Sequence, residues 1–467
     1  MKKITIFLFV LTFPLFLNSQ VINIKTRSIR DVYQIVNQEN NISSMFFIEN
    51  KRVVSYLLDD NFATIDTLSF PRPDKKFNAI AGHTYNSNSY SIIWKSEDKN
   101  EFLIQEIDFK HNKVNNKSFL TEPLEKEILK TIQEKDRLIF VRIKEESNIV
   151  KIISFDNKNN FDNKNIDLSS INLTNSKNTS VKFKDIILEN NNNKQNVIEV
   201  VDRSLPTSLV KSSNKKKIYC YNNKLLLSFD NNSYSTQVIN INLNDYSFNY
   251  FEIKNHLKTK GIKTEYNSFI IDDLCFGLNV SENRFTIFIK DFENKILVEK
   301  SFTSEEEITF KNSDIIQIGG EFADKRVLST TKQFLRKVNN LNPSLSVYPL
   351  KNKYMITIGS VSDLKYSYTA GMFGFFGSLA YSAMHNPTFD SFLTYADRKV
   401  VYFNTILDEN LNQQGEPSEP IAFDKIETII KRMIDIKFFT IFKKHENYVF
   451  GYYNYDQGKY IFRKISD

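Results

Sequence analysis

The chain has 467 residues, 41% of them hydrophobic, 13% aromatic and 25% charged, with 12 Gly, 2 Cys and a formal net charge of +7. That apolar content excludes a disordered or collagen-like chain, and two cysteines exclude a disulfide-stapled miniprotein. So small a basic surplus over so long a chain favours solubility over a nucleic-acid groove, and scarce glycine disfavours sites built on glycine-rich loops.

Residues 1–20, MKKITIFLFVLTFPLFLNSQ, place Lys2 and Lys3 before an apolar run from Ile4 to Leu17 and end in small or polar residues. This layout is that of a cleavable secretory signal ending at Ser19 or Gln20. The run is shorter than the roughly 20 residues needed to cross hydrocarbon. No Cys stands near the cleavage region. The expectation is therefore an exported protein, periplasmic or extracellular, which is not a lipoprotein and spans no membrane once cleaved. Loss of Lys2 and Lys3 leaves 60 basic against 55 acidic side chains, a net charge of +5.

Beyond the leader, short β-branched and aromatic runs alternate with Asn, Asp and Lys clusters, a grammar of strands and tight turns. Val53 to Leu58, Glu101 to Phe109, Leu138 to Ile143, Ile149 to Phe155, Leu225 to Phe229, Arg284 to Phe292 and Val400 to Ile406 read as strands. Placed without gaps on 272–302, residues 89–119 match at eight of 31 positions, among them Phe102 with Phe285 and Lys117-Ser118-Phe119 with Lys300-Ser301-Phe302. A large apolar residue followed by an Asn or Asp turn recurs at Leu58, Phe109, Phe155, Leu243, Phe292, Leu350, Leu407 and Tyr455. Asn and Asp tolerate positive φ, so they can turn hairpins where glycine is scarce. The intervals are 51, 46, 88, 49, 58, 57 and 48 residues. All but the 88 fit a four-stranded blade, and the 88 signals an insertion or an unseen blade.

Residues 157–196 carry 13 Asn and read as an insertion, a polar loop around a weak strand at Val181 to Leu188. Helical spacing predicts helices at Pro123 to Glu134, Asp324 to Val338 and Phe423 to Ile434. The basic run Lys211, Lys215, Lys216 and Lys217 reads as a solvated turn. Cys220 and Cys275 lie in apolar strand-like segments and read as separate thiols behaving as small hydrophobes. The last strand, Lys459 to Ile465, suits closure of a ring by pairing end with beginning.

On this spacing and self-similarity the chain resembles β-propeller proteins over most of residues 40–467. The expected fold is all-β, a propeller of about seven blades with a few short helices, in one domain spanning 21–467. Tandem β-sandwiches are the alternative, since they also emit short, regularly spaced strands. Residues 368–384, YTAGMFGFFGSLAYSAM, hold Gly371, Gly374 and Gly377, carry no charge, and read as an apolar Gly-rich insertion, about 368–390, between strands of one blade. With the following NPTFD this segment is similar to one in uncharacterised secreted bacterial proteins. It reads as a buried plug or as a partner contact through Met372, Phe373, Phe375 and Phe376.

The five His form no His-Glu-x-x-His, no Gly-x-Ser-x-Gly occurs, and Gly319-Gly320 is followed by Glu-Phe-Ala rather than a phosphate-binding Lys-Ser. No catalytic, metal-binding or cofactor-binding residue is assigned. Trp94 could serve as a sugar platform, but the self-match sets it in the place of Gly277 beside paired core positions, which reads equally well as burial. The sequence therefore points to a binding or scaffold module for an unknown protein or glycan, with no nucleic acid. A glycan- or peptide-acting hydrolase, its site in the central channel, is the alternative.

Overall fold

The structure, a computed structural model, describes residues 19–23, 29–97, 100–121, 127–144, 146–158, 160–189, 198–257, 264–318, 325–362, 387–396, 400–433 and 436–467. Among them, seven sheets of four or five strands form seven blades, numbered here from the N-terminus. Blade 1 is Asp31–Asn37, Ile42–Ile48, Arg52–Leu58 and Thr64–Pro71, and blade 2 is Phe77–Tyr85, Ser89–Ser96, Glu101–Asp108 and Lys113–Leu120. Blade 3 comprises Glu127–Glu134, Arg137–Lys144, Ile149–Phe155 and Phe161–Asp167. Blade 4 comprises Lys216–Tyr221, Lys224–Phe229, Ser235–Asn242 and Phe248–Lys254. Blade 5 runs Glu265–Ile271, Leu274–Ser281, Arg284–Asp291 and Ile296–Thr303. In each of these the strands pair in chain order, from an inner first strand to an exposed fourth.

The last two blades borrow strands. Blade 6 orders Asn342–Leu350, Lys353–Val361 and Val400–Asp408 beside Ile315–Ile318 and Arg326–Leu328, two strands that precede it in the chain. Blade 7 orders Ile436–Lys444, Asn447–Asn454 and Lys459–Ser466, and Ser19–Asn23 pairs antiparallel with the last of these. End and beginning of the chain thus share one sheet, as the closing strand predicted. Ser19 and Gln20 fall within the expected leader, whereas Val21–Asn23 lie beyond it.

The seams between blades show why the ring forms. Side chains alternate across a strand, and here neighbouring residues feed different seams. Ile92 packs between blades 1 and 2, and Ile93 between blades 2 and 3. Phe46 joins the seam to blade 2, and Phe47 the seam to blade 7. Leu225 faces blade 3, and Leu226 faces blade 5. The apolar clusters follow one another around the ring: blades 1–2, 2–3, 3–4, 4–5–6, 6–7 and 7–1. Tandem sandwiches would leave no seam from blade 7 to blade 1.

The self-match superposes the third and fourth strands of blade 2 on those of blade 5 residue for residue. Trp94 is 1% exposed, a core side chain. A Cβ on Gly277, its counterpart, would meet the Phe288 ring at 2.3 Å. Six of the recurrent apolar positions, Leu58 to Phe292 and Leu407, close the third strands of blades 1–6, while Leu350 ends a first strand and Tyr455 follows a second. Asparagine and aspartate do turn the hairpins. Asn222 and Asn223 have φ of 49° and 57°, and Asp272 and Asp273 51° and 59°, the paired positive values that suit two-residue connections.

Three expectations are corrected. Residues 127–134 form the inner strand of blade 3, not a helix; Ile128 and Ile132, four apart, share a face in either conformation, and pairing with Arg137–Lys144 decides it. The stretch read as a weak strand is helix α1, Phe183–Leu188, burying Phe183, Ile186 and Ile187. Helix α3, Thr331–Val338, starts only after the Thr330 cap, and exposed Val327 belongs to a strand. Two further helices follow, α4 at Pro387–Ala396 and α5 at Ala422–Arg432, the latter as expected. A short α2, Leu209–Ser212, lies at the hub.

The lysine run is also corrected, because it is structural rather than solvated. The Lys217 ammonium is fully buried, 3.2 Å from Asp230 Oδ2. Asp230 also accepts from the Ser268 amide and hydroxyl and from the Thr236 hydroxyl, stitching blade 4 to blade 5. The Lys216 ammonium donates to the carbonyls of Ile187 and Glu189, which end α1, and burial lowers its pKa to about 8. Cys220 and Cys275 are free thiols.

Two pairs of substitutions test this account. Ile22→Ala, at a buried position of the closing strand, lowers stability in urea by about 2–5 kcal/mol, whereas Val21→Ala, exposed, stays within about 0.5 kcal/mol. Asp230→Ala strands a buried ammonium and costs about 3–5 kcal/mol, and Lys217→Met in the same chain recovers much of it. Equal effects at 21 and 22, or no rescue, contradicts the register or the seam.

Candidate functional site

The 88-residue interval resolves into a strap that enters the hub. After α1, Glu199–Val201 pairs parallel with Lys217–Tyr219 on the channel side of blade 4. The chain then turns at Asp202–Leu205 and runs back along the inner strand of blade 6. There Ser346 Oγ donates to the Thr207 carbonyl at 2.6 Å and Ser344 Oγ to the Leu209 carbonyl at 2.9 Å. Asn267 Nδ2 of blade 5 donates to the Ser212 carbonyl. Lys443 Nζ of blade 7 reaches the Ser204 carbonyl. Leu205 and Leu209 are buried against blades 6 and 7, so apolar burial and these carbonyl contacts together hold the strap in place.

The strap fills the side of the channel beside blades 4–6 and leaves a two-lobed cavity at the end where first and second strands join. The first lobe, about 460 Å3, is lined chiefly by Tyr33, Gln34, His83, Tyr85, Gln133 and Lys443. The second, about 790 Å3, is lined by Glu134, Arg137, Arg203, Cys220, Asn223 and Asp272 among others. Gln38, Gln133, Lys135, Asp202 and Ser204 border both. Volumes of this size suit a small ligand or a short segment of a larger one.

The floor of the first lobe is built by hydrogen bonds between blades. Tyr33 OH and His83 Nδ1 are 2.8 Å apart. Gln133 accepts from the His83 amide and donates to the carbonyls of His83, Lys135 and Arg137. The row continues with the Tyr85 ring, 6.3 Å from His83 and nearly parallel to it. Burial lowers the pKa of His83 to about 3 and raises that of Tyr85 to about 12, so both are neutral at physiological pH. Beside them Gln34, 6% exposed, holds its buried Oε1 without a hydrogen-bond partner among the described residues.

The second lobe is charged and internally paired. Arg203 binds Asp272 at 2.6 Å and lies over the Tyr221 ring, whose hydroxyl donates to Asp273. Cys220 Sγ donates to Glu134 at 3.3 Å, and burial raises the pKa of this thiol, leaving it protonated. At the strap's other end burial raises the pKa of Glu199, opposed by Lys130 and Lys211 and reinforced by Asp390. Lys211 and Asp390 pair at 2.5 Å. This carboxylate sits among lysines. Among the described residues no cluster of His, Cys, Asp and Glu could hold a metal.

Met372, Phe373, Phe375 and Phe376 lie outside the described residues. Sequence reasoning missed Gln34, Gln133 and the strap. The available signal was a polar side chain interrupting an otherwise apolar strand, as in DVYQIVN and EILKTIQE. His83 was noted only as one of several scattered histidines.

No protein-family model matches the chain, and no curated protein matches it. Among solved structures it is similar to the WD40 domain of SCAP from fission yeast, at 10% identity over 96% of this chain and 90% of that one, with a TM-score of 0.30. It is similar also to the uncharacterised protein lmo1340 from Listeria monocytogenes EGD-e, at 10% identity over 73% and 82%, TM-score 0.29. A prolyl endopeptidase structure is matched at 7% identity over 92% and 46%, TM-score 0.28. With scores of this size, the ring rests on the chain's own strand pairing. No described helix is long and apolar enough to cross a membrane.

The neutral His83 makes a pH prediction. Its folded pKa of about 3 lies below the ordinary 6.5, so the unfolded chain takes up the proton first. This contribution to stability is full above pH 6.5 and is lost as the pH drops towards 3, a fall on the order of 4–5 kcal/mol. Urea midpoints for the parent chain and His83→Gln measure this directly. The variant loses less between pH 7 and pH 4; equal losses contradict a buried neutral imidazole.

Proposed function

We propose that this protein is an exported binding module, acting in the cell envelope or outside the cell, whose binding surface is the two-lobed cavity at the channel mouth. The leader-like residues 1–20 support export. The observation that carries the binding reading is the unpartnered Gln34 oxygen beside the neutral Tyr33, His83 and Tyr85 side chains. Buried polar atoms are rarely left without a partner, and Gln34 is one of the residues that line the first lobe. Sequence grounds alone keep Met372, Phe373, Phe375 and Phe376 as a second partner contact.

The test is screening of the purified chain against glycan and peptide arrays, with turnover assayed in parallel. Binding without turnover is expected. Lys135→Glu, an exposed side chain bordering both lobes, weakens it about tenfold without changing the melting temperature. Turnover of a glycan or peptide would instead establish a hydrolase. Binding indifferent to Lys135→Glu and to changes at the lobe floor would place the site elsewhere.

A further inference from the structure

The inner strands of the blades raise a question that the cavity alone does not answer. Each inner strand lies at the end of its sheet, hydrogen-bonded to a strand on one edge and turning the other towards the hub. Blade 4 differs, because its inner edge is occupied. Glu199–Val201 adds to it as a fifth, parallel strand, pairing Glu199 with Lys217, Val200 with Ile218 and Val201 with Tyr219. The hub of this molecule therefore accommodates an extended segment alongside an inner strand.

Among the described residues, Asp31–Asn37, the inner strand of blade 1, forms a strand ladder only with Ile42–Ile48. Tyr33, Gln34 and Val36 from this strand border the first lobe. The stretch from Tyr33 to Val36 extends roughly 10 Å at a strand's rise per residue, comparable with the three residues that occupy blade 4. Gln34 is 6% exposed, and its buried Oε1 has no hydrogen-bond partner among the described residues, an acceptor awaiting an N–H or O–H donor. The charged groups around the lobe balance, Lys135 and Lys443 against Asp202 and Glu446, so they favour no ion of either sign.

We propose that the first lobe binds an extended, uncharged peptide segment of a partner protein, added as a strand to the hub-facing edge of Asp31–Asn37 with one of its donors on Gln34 Oε1. This rests on the binding-module reading and names its ligand. Strand addition draws affinity from main-chain hydrogen bonds and specificity from pockets that take alternate side chains. The strap supplies the internal precedent, and its tip at Asp202–Ser204 borders the space that the guest would enter.

The probe is a phage-displayed library of random heptapeptides, followed by titration of the selected sequences as synthetic, end-capped peptides. Each peptide is also made with single backbone N-methyl groups at successive positions. Strand addition predicts a period of two, with methylation at alternate central residues weakening binding at least tenfold and at intervening residues changing it little. Gln34→Leu weakens the parent peptide by about tenfold. The methyl scan uses the unaltered protein, so it remains decisive even if that variant folds poorly. Uniform tolerance of methylation overturns the proposal. So does selection of no peptide while a glycan binds in a manner sensitive to Gln34→Leu, an outcome that leaves the binding module standing. Failure of both glycans and peptides to bind at the hub overturns both readings.

Discussion

A sheet whose two faces are both apolar cannot stay in water alone, and that constraint organises this molecule. Neighbouring residues such as Ile92 and Ile93, or Phe46 and Phe47, point into opposite seams, so each blade needs a partner on either side. Only a closed circuit satisfies all of them. The clusters between successive blades supply it, and the strand Ser19–Asn23 completes the last sheet. Closure also protects the strands from edge-to-edge association by leaving exposed only the outer fourth strands and the channel-facing edges.

The ring creates a hub, and the strap determines what the hub can do. A channel lined by strand edges presents unpaired backbone groups, which need water, side chains or another segment. Beside blades 4–6 the chain meets that need itself, through Glu199–Val201 and the carbonyl contacts of Ser344, Ser346 and Asn267. Around the first lobe, beside blades 1, 2, 3 and 7, no described segment does so, and neutral Tyr33 and His83 lie at its floor. The same insertion thus stabilises one half of the hub and shapes the site in the other. Polar stitches of the Lys217–Asp230 kind set the geometry of the seams, because an unsatisfied buried charge penalises any other packing.

The repeating architecture was legible in the sequence because strand alternation and turn chemistry are local. Asn222-Asn223 and Asp272-Asp273 announced hairpins, and the match of 89–119 to 272–302 aligned two blades before either was seen. What was not legible depends on distant partners. Ile128 and Ile132 fit a helix as well as a strand until Arg137–Lys144 pairs with them. Lysines 215–217 looked solvated because nothing nearby in the chain marks Asp230, Tyr266 or the end of α1 as their acceptors. The site is less legible still, since Gln34, His83 and Gln133 come from three blades and meet only when the ring closes.

The central claim is that closure, and the most direct measurement is a cross-link between the chain's two ends. Val21 and Ile461 are register partners in the last sheet, close enough for a disulfide if that pairing exists. The account predicts that a chain carrying Val21→Cys and Ile461→Cys forms an intramolecular disulfide under mild oxidation, and that the oxidised form melts higher than the reduced form. Failure of the two thiols to join in folded protein, or their joining only between separate molecules, would contradict it.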